Sequence, residues 1–263
     1  MSGRPRRREK RRFAPGWCQC VSRGGQAVKR FWDAEDLTLD DGEHRILLDG
    51  KPIHLPNGGV LRVGPPALAE AIAEEWRLAG GAKGGEMSFA DTPLTRVAGT
   101  ARERIAPDPA LTMDAIARYG ETDLLCYRAE TPRALIALQA ERWQPWLDWA
   151  AEAFDAPLRV TSGIVPVRQH RDSIDALRRV VGGFDPYTLA GLGIAVPALG
   201  SLILGLALAE GRIDAAEAHA LGALDELFQA EQWGVDEEAE QRLQAIAADI
   251  SLAERFIRLS LAG

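Results

Sequence analysis

A chain of 263 residues with 46% hydrophobic and 26% charged side chains is long enough to bury a sizeable core, as one large or two modest domains, and reads as a soluble globular protein. Its net charge of -7 conceals an asymmetry: residues 1–30 hold ten Lys or Arg against the single acid Glu9, net +9, which leaves -16 for the remainder. An acidic body disfavours nucleic acid and anionic lipid as partners, and three cysteines, two of them at Cys18 and Cys20, exclude a disulfide framework and point to a reducing compartment.

Residues 1–28 read as a basic, disordered tail. The run from Arg4 to Arg12 is open to three readings: a nucleic-acid arm, a mitochondrial presequence or an inert extension. A presequence needs an amphipathic helix with an apolar face, and this run is almost wholly cationic before Phe13, so the inert reading is favoured. No apolar stretch follows, which disfavours a secretory signal. Cys18-Gln19-Cys20 offers a soft metal only two ligands.

Residues 29–90 are expected to form a small antiparallel β-meander with one covering helix. Arg45-Ile46-Leu47-Leu48 and Ile53-His54-Leu55 flank Asp49-Gly50, a dipeptide that tolerates the positive dihedrals of a tight hairpin, and Pro52 then belongs on an edge. Asn57-Gly58 turns the chain again into Val60-Leu61-Arg62-Val63. Pro65 and Pro66 open a helix in which Leu68, Ile72 and Trp76 recur every four residues, a stripe suited to cover the sheet, and Gly80-Gly81 ends it. The Gly-rich stretch 80–85 lacks the Gly-Lys-Ser/Thr ending of a phosphate loop and follows a helix, so it reads as a connector.

Residues 91–263 read as a larger, all-α domain, which makes the fold class α+β. Thr92-Pro93 is a capping start for a helix carrying Leu94, Val97, Ala98 and Ala101. Thr131-Pro132 starts another with Leu135 and Leu138, which Pro145 should bend or break. Trp143, Trp146 and Trp149, three apart, wrap around that helix and place at least one indole near the surface or a seam. From Tyr187 to Ala209 there is no charge for 23 residues, the length of a membrane span. Gly191, Gly193, Gly200, Gly205 and Pro197 interrupt it, and the acids Asp185 and Glu210 bound it, so two buried helices meeting near Pro197 fit better than a membrane-anchoring hairpin at 187–209.

Asp214 with Glu217 makes a capping box that opens a helix through Leu221, Leu224 and Phe228. The 3.6-residue period places the ionisable Glu231 on that apolar stripe, where burial demands a charged partner; the alternative is a frayed helix end in water just before Gly234. Asp236 caps the last helix. Its Ala239, Leu243, Ile246, Ile250, Ala253 and Ile257 form a narrow seam for packing along one other helix.

The chemistry-bearing residues are sparse. His44, His54, His170 and His219 are scattered without metal-ligand spacing, and there is no nucleophile elbow, dinucleotide fingerprint or phosphate loop. The expectation is therefore no catalytic residue, no metal, no cofactor and no enzyme, although the acids at 225–238 leave a carboxylate-based enzyme open as an alternative. Most of those acids are helix caps or first-turn residues; Glu231 caps nothing.

Five blocks in order carry a resemblance: Lys29-Arg30-Phe31-Trp32, Leu48-Asp49-Gly50-Lys51-Pro52, Thr92-Pro93-Leu94-Thr95-Arg96, Thr122-Asp123-Leu124-Leu125-Cys126-Tyr127-Arg128, and Asp225-Glu226-Leu227-Phe228-Gln229-Ala230-Glu231-Gln232-Trp233-Gly234. Together they resemble the ATP12 family of F1 ATP synthase assembly chaperones. The resemblance implies a protein that holds the unassembled alpha subunit of F1 until a beta subunit displaces it. It also implies a role for Glu231 in chaperoning. Beyond the resemblance, Glu231 and the neighbouring acids Asp225 and Glu226 are expected to pair with basic groups of the client, with Gln229 and Trp233 beside them in client binding. Trp233 is open to two readings, an aromatic anchor for the client or a core indole closing the helix end. Asp49, Gly50, Asp123, Tyr127 and Gly234 are read as the structural part of the motif, Asp123 and Tyr127 bracing the domain junction. A monomer in the bacterial cytoplasm is expected, with the mitochondrial matrix as the alternative.

Overall fold

The computed structural model describes residues 28–163, 165–234 and 236–262, so the basic run and the Cys18-Gln19-Cys20 pair lie outside the described residues. The chain enters through β1 (Val28–Lys29), β2 (Glu35–Asp40), β3 (Glu43–Leu48) and β4 (Lys51–Pro52). The last three form an antiparallel sheet in chain order, which leaves Pro52 on an edge strand where its missing N–H interrupts no inner ladder. Asp49 and Gly50 take the positive φ angles, 48° and 76°, of a tight hairpin, and Asp49 Oδ1 accepts the amides of Asp33 and Ala34 at 3.0 Å each. β2 was not expected: it holds only two apolar residues, Leu37 and Leu39, and the second is exposed. Conversely, the strands expected at 53–55 and 60–63 shrink to isolated bridges, His54 to Val60 and His44 to Val63, in a segment that Pro52, Pro56 and Gly58-Gly59 keep from forming a longer ladder.

The helix α1 (Pro66–Leu78) buries Leu68, Ile72 and Trp76 against β2 and β3, as its spacing requires. Arg30, buried, donates to the carbonyls of Arg77, Ala79 and Gly81 at 2.7, 3.1 and 2.8 Å and lies over the Trp32 ring at 5.0 Å. It thus closes the C-terminal end of α1 with a charged fork. β5 (Glu86–Met87) returns to pair with β1.

The start of α2 (Pro93–Thr100) corrects the expected cap. The Thr92 side chain makes no capping bond, and its hydroxyl is buried without a partner. Glu75, buried on α1, supplies the cap instead, accepting the amides of Leu94 and Thr95 at 2.7 and 3.1 Å. Burial pushes the Glu75 carboxyl above its usual range while these bonds pull the other way.

After a π-turn (Ala101–Ile105) come α3 (Ala110–Ala117), two short 3-10 turns and β6 (Tyr127–Arg128), which pairs in parallel with β7 (Thr161–Ser162). Between those strands α4 (Arg133–Phe154) runs through Pro145 without the break that was one of the two expected outcomes. Trp143, fully buried, donates its indole N–H to the Leu221 carbonyl at 2.9 Å, and Leu147 and Ala150 are buried just beyond. Packing on both sides of the proline outweighs its lost hydrogen bond. Trp146 and Trp149 remain half-buried.

After α5 (Arg171–Gly182), the uncharged run becomes α6 (Pro186–Leu199) and α7 (Leu202–Ala209), both in the core. Their break falls at Gly200, with φ 63°, and at Ser201, whose hydroxyl accepts the Leu204 amide at 3.1 Å; Pro197 lies within the last turn of α6. Among the described residues no helix is long and apolar enough to cross a membrane. A β-carbon at Gly191 would clash with Ile257 of α10 (Glu237–Leu261), the helix that packs most extensively on α6. Gly191→Ala is therefore expected to cost about 1–3 kcal/mol, read as a lower denaturation midpoint at constant slope. An unchanged midpoint would show that the two helices separate freely.

The helix expected through Leu221 and Phe228 is two helices, α8 (Ala215–Gly222) and α9 (Leu224–Trp233), parted at Ala223. Gly222 is a poor helix former pressed against Leu199, and the chain turns there. Both N-caps form, Asp214 accepting the Glu217 amide and Asp236 the Ala239 amide, each at 2.8 Å, which is one half of the capping box expected at Asp214.

Candidate functional site

α9 leaves the body of the protein as it proceeds. Of its residues only Leu224 is buried, Phe228 is half-buried, and Glu226, Gln229, Glu231 and Trp233 are exposed. Glu231 therefore sits at a helix end in water, with no ion pair among the described residues. Trp233 is 77% exposed, which rules out the core-indole reading. Gly234, at φ 83°, closes the helix.

Helical spacing divides these residues between two faces. Glu226, Gln229 and Trp233 follow i, i+3, i+7 on one side; Glu231 shares the other with Leu224 and Phe228. Glu226 and Glu231 thus point apart and cannot close on one substrate as an acid–base pair. What they do share is a field. Residues 224–242 carry seven acids against the single base Arg242, net -6, across α9 and the first turns of α10.

Asp225 belongs to the base of this projection. Its Oδ1 accepts Gln139 Nε2 at 2.7 Å, and the Gln139 Oε1, buried on α4, accepts the Ala129 amide at 2.8 Å. The Gln139 carbonyl in turn accepts Arg128, whose guanidinium lies 5.3 Å over the Trp143 ring. Asp225 is thereby tied to α4 at the start of α9. Gln139 gives no sequence signal, because its partner lies 86 residues away.

Asp123 is fully buried and touches none of this surface. Its Oδ1 accepts the Ser201 hydroxyl at 2.8 Å and the Leu125 amide at 3.1 Å, and Oδ2 accepts the Ile203 amide at 3.0 Å. Desolvation outweighs these bonds and pushes its pKa up to about 6. Asp123 ties the turn after α3 to the start of α7, inside the helical part, and not to the expected boundary near residue 90. Tyr127 is half-buried in β6 nearby. The Cys126 thiol, pushed up to about 12 chiefly by burial, stays protonated and is no nucleophile.

A groove of about 290 Å³ opens beside α9, between α6, α8 and the first half of α10. Trp143, Leu199, His219, Leu243 and Ile246 line it together with Glu226. These residues span more than a hundred positions, so no local pattern announces them. Among the described residues, no group of three or more His, Cys, Asp or Glu is disposed to hold a metal ion.

The model of the ATP12 chaperone protein family matches residues 29–151. The chain is 25% identical over 227 residues to the mitochondrial protein atp12 of Schizosaccharomyces pombe, covering 82% of this chain and 77% of that one. Its fold matches the crystal structure of Atp12 from Paracoccus denitrificans with a TM-score of 0.83 and 44% identity, over 89% of this chain and 98% of the other. Atu1473 of Agrobacterium tumefaciens matches with a TM-score of 0.82 and 36% identity, over 89% of this chain and 87% of the other. With 44% and 36% identity to these two structures over most of each chain, the chain belongs to the ATP12 chaperone family.

Proposed function

We propose that this chain is an assembly chaperone of F1 ATP synthase that holds the unassembled alpha subunit until a beta subunit displaces it. The observation that carries the reading is Trp233, a large aromatic ring 77% exposed at the tip of an acidic projection. A monomeric protein gains nothing in stability from such a ring, whereas interfaces use tryptophan as an anchor within a charged rim. An orphaned ring subunit exposes apolar interface that aggregates, and covering it reversibly requires only surface complementarity. Family membership and the reducing-compartment composition support a site of action in the bacterial cytoplasm, with the mitochondrial matrix as the alternative.

The test is co-expression of the tagged chain with the alpha subunit. The two are expected to co-purify, and Glu231→Gln is expected to fold normally yet leave the alpha subunit largely insoluble. An alpha subunit that stays soluble without the chaperone and never co-purifies with it would refute the reading; normal capture by the Gln variant would remove only Glu231 from it.

A further inference from the structure

We infer that the groove between α6, α8 and the first half of α10 receives an apolar side chain of the client, carried on a segment flanked by Lys or Arg. This rests on the proposed holding function and specifies where and by what chemistry the client is held. Three observations converge on it.

The seam along α10 is only half used by the fold. Ile250, Ala253 and Ile257 are buried, whereas Leu243 and Ile246, the same seam two turns and one turn before Ile250, stay half-exposed and line the groove with Ile250 at its floor. The space is also of the right size. At about 290 Å³ it lies at the small end of ligand pockets, ~300–1,000 Å³, with room for one or two side chains but not for a helix.

Polarity supplies the rest. His219 lines the groove with its ring, while its Nε2 is buried without a hydrogen-bond partner among the described residues. Asp225 and Glu226 stand in the same lining against one base, Arg242, and the stretch 224–242 that frames it carries net -6 with that base counted. An apolar anchor entering here is favoured when cations flank it and disfavoured when acids do.

A photo-crosslinking residue placed at Leu243 of the full-length chain, co-expressed with the alpha subunit, tests this directly. The expected product joins residue 243 to an alpha-subunit peptide with an apolar residue within about four positions of a Lys or Arg. Leu243→Lys should lower alpha-subunit co-purification at least tenfold with the thermal midpoint nearly unchanged, and Leu243→Met should retain capture. Cross-linking only to the chain's own residues 1–27, where Phe13 and Trp17 follow the arginine run, would overturn the inference. So would a cross-link to an acidic client segment, or full capture by Leu243→Lys. If the unsubstituted chain does not hold the alpha subunit, both readings fall; if it does and residue 243 makes no contact, only this one falls.

Discussion

An Asp123→Ala chain is expected to unfold with about 3 kcal/mol less free energy at pH 7, a fall in Tm of about 6–12 °C. The substitution strands the amides of Leu125 and Ile203 and the hydroxyl of Ser201 in a fully buried site. Each stranded amide costs about 1–3 kcal/mol, and release of a buried charge offsets part of the total. The pH dependence gives an independent check. The folded-state pKa of about 6 lies above the ordinary 3.8, so this group binds its proton earlier in the folded than in the unfolded chain. Its contribution is fully present below the lower value and is lost as pH rises through the upper one, a swing of about 3 kcal/mol. The stability gap between the unsubstituted and Ala chains should therefore widen on acidification from pH 7 to pH 4. Equal midpoints at both pH values would mean that Asp123 neither holds the start of α7 nor titrates there.

Trp233→Ala is expected to weaken the complex with the alpha subunit about 10- to 100-fold, or about 1.4–2.7 kcal/mol, the range of an aromatic hot spot. Its cost in folding stability should stay within about 0.5 kcal/mol, because the ring is 77% exposed and closes no core. The separation of the two quantities is what matters: calorimetric affinity falls while the thermal midpoint stays. A parallel drop in both would mark Trp233 as structural. Unchanged affinity would move the anchor elsewhere, with the groove beside α9 as the next place to look.

The fold was legible wherever the signal is local. Asp49-Gly50 specifies a hairpin, Leu68, Ile72 and Trp76 specify a covered sheet, and two glycines of the uncharged run mark close helix packing instead of a membrane span, Gly191 against Ile257 of α10 and Gly205 against Val196 of α6. It was illegible where a partner is distant. Glu75 displaces Thr92 as the cap of α2 from another helix, Trp143 carries α4 across Pro145, and a contact of Gly222 with Leu199 splits one expected helix into two. The site divides in the same way. Period and composition placed Glu231 and Trp233 on one acidic helix end, but only the fold shows that Asp225 is held by Gln139 and that Glu231 and Trp233 both stand exposed.

The most direct measurement of the central claim is the yield of assembled F1 in cells from which this gene is deleted, with the alpha subunit followed by fractionation. Little assembled F1 and an insoluble alpha subunit are expected, both restored by the unsubstituted chain and not by a chain carrying Trp233→Ala with Glu231→Gln. Full assembly with a soluble alpha subunit in the deleted cells would contradict it.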